Sequence, residues 1–373
     1  MIRSSERAWA ASDISAAEVI AALDLGSEDA ELVRGLADLR QQSEVAIPSP
    51  DDAASTLETL GVSEIDADEV VASLPGDDER ERGWWLKRAS GRVISEIGSL
   101  DATRPTWRNF EGTKEVPSWR RCFIAHVFLT VLPHTRAWHA SLGLDDDVSW
   151  ASLADLRRHM AIHRRVFGAT GVEAGAWLLL PVRGELFDLG RLQFERLRLE
   201  RSLSSPWVGD LDVVRTRYRM SLEDCWLGVH IPGEGPLRPP DVDEALFRAA
   251  TFFPKHFRDE FSPRERALGT CTSWMLDPQL LDYLPNDSNI ACFQRRFELL
   301  PERFDGDEEI MRFIFRRPLS EVEALPRTTR LERAVLDHLE AGGHWYVRTG
   351  WLELPAPGAY ADSADIRVGW WRL

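Results

Sequence analysis

Lysine is nearly absent from this chain: three residues of 373 (Lys87, Lys114, Lys255), against 42 arginines. The bias suits a GC-rich coding sequence more than a mechanism. Cysteine is also scarce. Cys122, Cys225, Cys271 and Cys292 lie far apart with no CxxC spacing, which excludes a zinc ribbon and argues against a disulfide frame. They read as ordinary thiols of a reducing cytoplasm. Long apolar runs are missing as well. The best, Phe123 to Leu132, is ten residues and contains His126, too short to span a bilayer. The first residues, Met1-Ile2-Arg3-Ser4-Ser5-Glu6, offer no signal-peptide core, so no membrane role and no secretion are expected.

A basic face is lacking too. The formal net charge is −16. Residues 1–82 hold 20 acids and 6 bases, while the rest holds 41 and 39. The field would repel phosphate, so nucleic acid is not an expected partner. The composition, 44% hydrophobic and 28% charged, is that of a globular protein. The length suits two domains.

The N-terminal part reads as helices. Ser15-Ala-Ala-Glu18 is a capping box, and Leu32, Leu36 and Leu39 share a face after Ser27. Short helices are expected over 51–60 and 65–74, and an amphipathic one through Trp84–Ile97. A loop with Pro105 and Gly112 follows. Residues 119–142 read as a buried helix kinked or broken at Pro133. Ser149 opens another that ends at Gly168.

After Gly171 the apolar period shortens toward two. Strands are expected at 177–181, 186–199, 224–231, 270–276, 290–299, 310–316 and 344–354, with the first two forming a hairpin about Gly184. Helical turns are expected at 278–284, and helices at 241–253 and 329–341. The expected fold class is α+β: a helical N-terminal domain, then a mixed, largely antiparallel sheet with flanking helices. The expected bounds are 1–170 (with 1–82 an acidic appendage), 171–355, and a tail over 356–373.

Several constellations could carry chemistry. The order strand, His230-Ile-Pro-Gly233-Glu-Gly235, helix could present backbone N–H groups to an anion. Equally, it could be a proline-stiffened connection, since Asp241, Asp243 and Glu244 crowd the helix start and only Arg238 opposes them. Arg191, Gln193 and Glu195 alternate on one strand face, a row that suits a cleft or a solvated sheet face; Glu195 is the candidate base. Cys271 and Ser273 follow a glycine, but no GxSxG elbow exists. Asp277 reads as a helix N-cap. His159 and His163 have metal-compatible spacing, but His163 falls on an apolar face, and no metal is expected. Arg295-Arg296 and Arg316-Arg317 read as surface pairs or anion grips.

The chain resembles bacterial two-domain acyltransferase-like proteins with a helical N-acyltransferase N-terminal domain and a GNAT-like C-terminal domain. The resemblance rests on Leu132-Pro-His-Thr-Arg136, Leu153-Ala-Asp-Leu-Arg-Arg-His159, Leu189-Gly-Arg-Leu-Gln-Phe-Glu195, Val229-His-Ile-Pro232, Ser273-Trp-Met-Leu-Asp-Pro-Gln279, Tyr283-Leu-Pro-Asn-Asp-Ser-Asn-Ile290 and Phe293-Gln-Arg-Arg-Phe297. It implies acyl transfer from acetyl-CoA or another acyl-CoA to a small-molecule amine or peptide acceptor, by direct attack in the cleft of the sheet. His230, Glu195 and Ser273 are then the expected catalytic residues. Gly233, Gly235 and Arg238 are the expected cofactor contacts. A non-catalytic binding protein on the same scaffold is the alternative.

Overall fold

The computed structural model describes residues 14–37, 45–100, 113–203, 208–262, 267–317 and 319–356. The loop around Pro105 and Gly112 and the tail over 357–373 lie outside them. The chain divides into two compact units, 1–187 and 188–373.

The first unit is helical: α1 Ala16–Ala22, α2 Ser27–Ala37, α3 Pro50–Thr59, α4 Glu64–Ala72, α5 Arg80–Glu96, α6 Ser118–Arg121, α7 Phe123–Ser141, α8 Asp146–Leu153, α9 Asp155–Phe167 and α10 Gly175–Val182. The reciprocal capping box of Ser15 and Glu18 starts α1; such a cap contributes about 1 kcal/mol. One apolar core runs through this unit. Val19, Val33, Leu57 and Val70 of the acidic segment share it with Trp85, Phe123, Phe128 and Met160. Charge reinforces the packing. The buried carboxylate of Asp66 takes two hydrogen bonds from Arg164 (2.8 and 2.6 Å), and Glu69 pairs with Arg121. So the acids of residues 14–82 are partly neutralised by arginines of the same helical body.

Two local expectations are corrected here. The break in the 119–142 helix falls at Cys122, between α6 and α7, and α7 runs unbroken through Pro133. Proline removes one helical hydrogen bond, and a helix buried along most of its length absorbs that loss. Residues 177–181 are not a strand but the middle of α10. An apolar run buried on nearly all sides has no period to read, so strand and buried helix look alike in sequence.

Strand β1, Leu186–Asp188, spans the boundary, and the second unit continues with β2 Gln193–Arg198, α11 Leu199–Leu203, α12 Asp212–Tyr218, β3 Cys225–His230, α13 Pro239–His256, β4 Leu268–Ser273, α14 Asn289–Gln294, β5 Glu298–Asp305, α15 Asp307–Ile314, α16 Arg330–Glu340 and β6 Tyr346–Glu353. Short 3-10 turns occupy Trp274–Leu276, Pro278–Asp282 and Leu319–Ala324. The sheet order is β1-β2-β3-β4-β6-β5. The β2–β3, β4–β6 and β5–β6 pairs are antiparallel and the β3–β4 pair is parallel, so the mixed, largely antiparallel sheet is present as expected.

Other strand expectations are corrected. The hairpin turns at Leu189–Leu192, not at Gly184: Leu189 N–H donates to Leu192 O, and Gly190 sits at φ +110°. Residues 290–294 are helical because Ser288 caps them by accepting from Ala291 N–H. Residues 310–314 belong to α15, whose first turn holds Asp307, Glu308 and Glu309, favourable at a helix N-terminus. Strand β4 ends at Ser273, where the Ser273 hydroxyl accepts from Met275 N–H and starts a 3-10 turn.

Candidate active site

The site is set by where strand pairing stops. Strand β3 pairs with β2 along its whole length, from Cys225–Arg198 to His230–Gln193. Strand β4 pairs with β6 from Leu268 to Ser273. Between β3 and β4 the ladder holds only two pairs, Leu227–Gly269 and Gly228–Thr270. The two parallel strands therefore part at their carboxyl ends, beside Val229–His230 and Cys271–Ser273. In sheets with parallel strands, such a parting at the carboxyl ends is where ligands enter.

Register assigns the faces. Glu195 lies opposite Gly228, and Gln193 opposite His230, so these side chains share one face with Thr270 and Thr272. Phe194 points the other way and meets Phe253 of α13 edge-on at 6.3 Å. That helix covers the opposite face.

His230 and Glu195 come together. Nε2 of His230 lies 3.0 Å from Oε2 of Glu195. The carboxylate is buried, with 8% side-chain exposure, and the imidazole is 29% exposed. The pair is diagonal across β2 and β3, so the ring must lean back over residue 228. Gly228 makes room: a Cβ there would sit 3.0 Å from His230 Nε2 and 3.0 Å from Leu197 Cδ1. With the Glu195 carboxylate accepting, the ring proton lies on Nε2.

The loop after β3 is fixed from its carbonyl side. Arg191 donates to Pro236 O from Nε (2.9 Å), to Pro232 O (3.1 Å) and to Gly235 O (2.9 Å). With three carbonyls drawn to one guanidinium, the N–H groups of Gly233 and Gly235 take no acceptor among the described residues. A Cβ on either glycine would meet nothing within 4 Å, and Gly235 has φ +75°. Open backbone donors beside a helix N-terminus suit an anion.

Two of the acids at the start of α13 are matched by arginines. Asp241 pairs with Arg238 at 2.9 Å. Asp243 pairs with Arg296, which is 3% exposed, at 2.7 Å. The expectation that only Arg238 opposes these acids is thus corrected, because the turn after α14 brings Arg296 to Asp243. Arg296 is no surface residue.

Ser273 stands apart. Alternation puts it on the face opposite His230, and its hydroxyl is held by Met275 N–H at 3.1 Å. Cys271 is buried, and burial pushes its thiol up to about 12, so it supplies no thiolate. Asp277 caps the next turn as expected and also accepts from Tyr346 N–H at 2.8 Å.

Four histidines of the helical unit are held within its packing. His126 and His139 are buried, and desolvation lowers each to about 4. His163 donates from Nδ1 to Ala169 O at 2.8 Å, the expected core role. His159 lies between Asp155 (3.5 Å) and Glu173 (3.3 Å). Among the described residues no group of three His, Cys, Asp or Glu is placed to hold a metal ion. No helix among them is long and apolar enough to cross a membrane.

A parted parallel pair, an open glycine loop and a helix start in this order define a GNAT-type acyl-transfer module. Comparison with known proteins agrees. Residues 51–184 match an N-acyltransferase N-terminal domain, and residues 186–352 match a GNAT-like C-terminal domain. Solved structures of an acyltransferase are similar over 92% of this chain and 100% of theirs, at 35% identity. One is a complex with decanoyl-CoA (TM-score 0.79). Others hold decanoyl-CoA with teicoplanin, and CoA with 10C-teicoplanin (both TM-score 0.77). No curated protein matches. The chain belongs to this family of two-domain acyltransferases and is an enzyme of that class.

Proposed function

We propose that the protein transfers an acyl group from an acyl-CoA to an amine, with the His230–Glu195 pair as its base. The observation that carries this reading is the β3–β4 ladder, which stops two residues before His230 and its glycine loop. The thioester arm lies in the gap, and the N–H groups of Gly233 and Gly235 face the pyrophosphate. Arg238 offers a further cationic contact at the helix start, next to its partner Asp241. The amine nitrogen attacks the thioester carbonyl carbon, His230 Nδ1 takes the amine proton, and the C–S bond breaks. Coenzyme A leaves as a thiolate that takes up the proton held on His230, so that an amide and the free thiol remain. Positioning supplies most of the rate and the base a further factor. Ser273, on the other face, has no part in this scheme.

The similar acyltransferase binds decanoyl-CoA and teicoplanin, which supports a medium acyl chain and a small-molecule or peptide amine here. Four free thiols suit a reducing cytoplasm. The non-catalytic alternative rests on the acid-filled start of α13 and on the prolines of the loop; Arg238 and Arg296 pair with two of those acids, Asp241 and Asp243, which weakens the first ground.

The test is direct. The purified protein is mixed with acetyl-, octanoyl- or decanoyl-CoA and teicoplanin as probe acceptor, and products are read by mass spectrometry and thiol release. An N-acylated product with one free CoA per amide is expected. No product with any pair, together with no binding of any acyl-CoA, would overturn the proposal.

A further inference from the structure

On the sheet face that carries the His230–Glu195 pair, the neighbouring polar groups have partners. Thr270 donates to Gly350 O (3.2 Å), Thr272 and Thr349 share a hydrogen bond (3.0 Å), and Gly209 N–H donates to Thr349 (3.2 Å). Gln193 differs. It is 3% exposed, and its Nε2 is buried with no hydrogen-bond partner. Its Cα partner across the ladder is His230. A buried amide donor left unfilled is costly. One placed beside a candidate base points to a partner that arrives with the substrate.

Topology says which substrate. Gln193 stands on β2, and β3 separates it from the β3–β4 gap. Adjacent strands are about 4.8 Å apart, so Gln193 is one strand further from the thioester than His230 is. That placement favours the amine over the thioester as its partner. We infer that Gln193 recognises the acceptor by donating a hydrogen bond to a neutral oxygen (hydroxyl, ether or carbonyl) close to the reacting amine. This inference rests on the acyl-transfer reading above. A plain alkylamine would leave the amide unfilled, so the site selects amines that carry such an oxygen.

Gln193→Met keeps the length and removes the donor. Without any substrate, relief of the unfilled amide is expected to raise the Tm by about 2–4 °C. With decanoyl-CoA fixed and teicoplanin varied, KM for the acceptor is expected to rise about 5- to 10-fold, the worth of one neutral hydrogen bond. KM for decanoyl-CoA should move less than twofold. In the wild type 2-aminocyclohexanol should be acylated in preference to cyclohexylamine, and Gln193→Met should erase that preference. A fall in Tm would show the amide already satisfied and overturn the inference. So would an unchanged acceptor KM. An equal fall in kcat for transfer and for acceptor-free thioester hydrolysis would place the amide on the thioester and overturn it too. Failure of the wild type to acylate any amine would instead bring down the acyl-transfer reading, and this inference with it.

Discussion

Both units of this protein hold histidines against carboxylates, and a contact in the helical unit makes an instructive comparison with the candidate pair in the sheet unit. In the helical unit, His159 sits between Asp155 and Glu173, which α9 and the chain leading into α10 bring together. In the sheet unit, His230 rests on Glu195. The contacts are alike, and the surroundings are not. Asp155 also takes a hydrogen bond from Trp177 Nε1 of α10 (3.2 Å) and pairs with Arg158 of its own helix, so its carboxylate is engaged in the packing of the helical unit. His230 ends a strand where a ladder stops and a glycine loop begins. A histidine–carboxylate pair becomes a base by its address in the fold, not by its geometry alone.

Changes in the sheet pair should have the largest effect. Glu195→Gln keeps the shape but removes the charge that holds the ring proton in place. It is expected to lower kcat about 10²-fold, measured by thiol release at saturating substrates, with the far-UV circular dichroism unchanged. Gly228→Ala puts a methyl group where the His230 ring leans. About a tenfold loss in kcat is expected, and Gly228→Ser should be no better. Full activity in Gly228→Ala would show that the ring need not lie over that glycine. A smaller effect follows from the loop clamp: Arg191→Met should raise KM for acyl-CoA roughly three- to tenfold and leave KM for the acceptor nearly unchanged.

The helical pair should answer in stability. Burial alone would lower the His159 pKa, but its hydrogen bonds to Asp155 and Glu173 and the charges of both outweigh that, and the result is raised. A raised folded pKa stabilises fully below the unfolded value of about 6.5 and is lost as pH climbs through the folded value. His159→Gln should therefore lower the Tm by about 2–4 °C at pH 6 and by less at pH 9. An equal drop at both values would mean that the imidazolium does not supply the stabilisation.

Much of the site was readable because its parts are local. His230, Gly233 and Gly235 stand within six residues, and the alternation in Gln193–Phe194–Glu195 puts Glu195 on one face whatever the partner strand. The pairing of His230 with Glu195 was not readable, since register between β2 and β3 depends on the long connection between them. The role of Arg296 was hidden for the same reason: its partner Asp243 lies 53 positions away. Arg191 looked like one of a polar row, and only the fold of the loop around it reveals three carbonyls to bind. The strands wrongly expected at 177–181 and 310–316 fail on a shared cause. Short apolar segments carry too few turns for 3.6 and 2 to be told apart, whereas Thr329–Ala341, with a capping box and a glycine stop, is long enough to show its period.

The claim that address decides function meets its most direct test in two matched variants, His230→Ala and His159→Ala. Each is assayed for single-turnover acyl transfer from decanoyl-CoA and for Tm. His230→Ala is expected to lose about 10²–10⁴-fold in rate with a Tm within about 2 °C of the wild type. His159→Ala is expected to melt earlier and to transfer at the wild-type rate below its melting range. A His230→Ala protein that transfers normally, or that merely unfolds, would contradict the account.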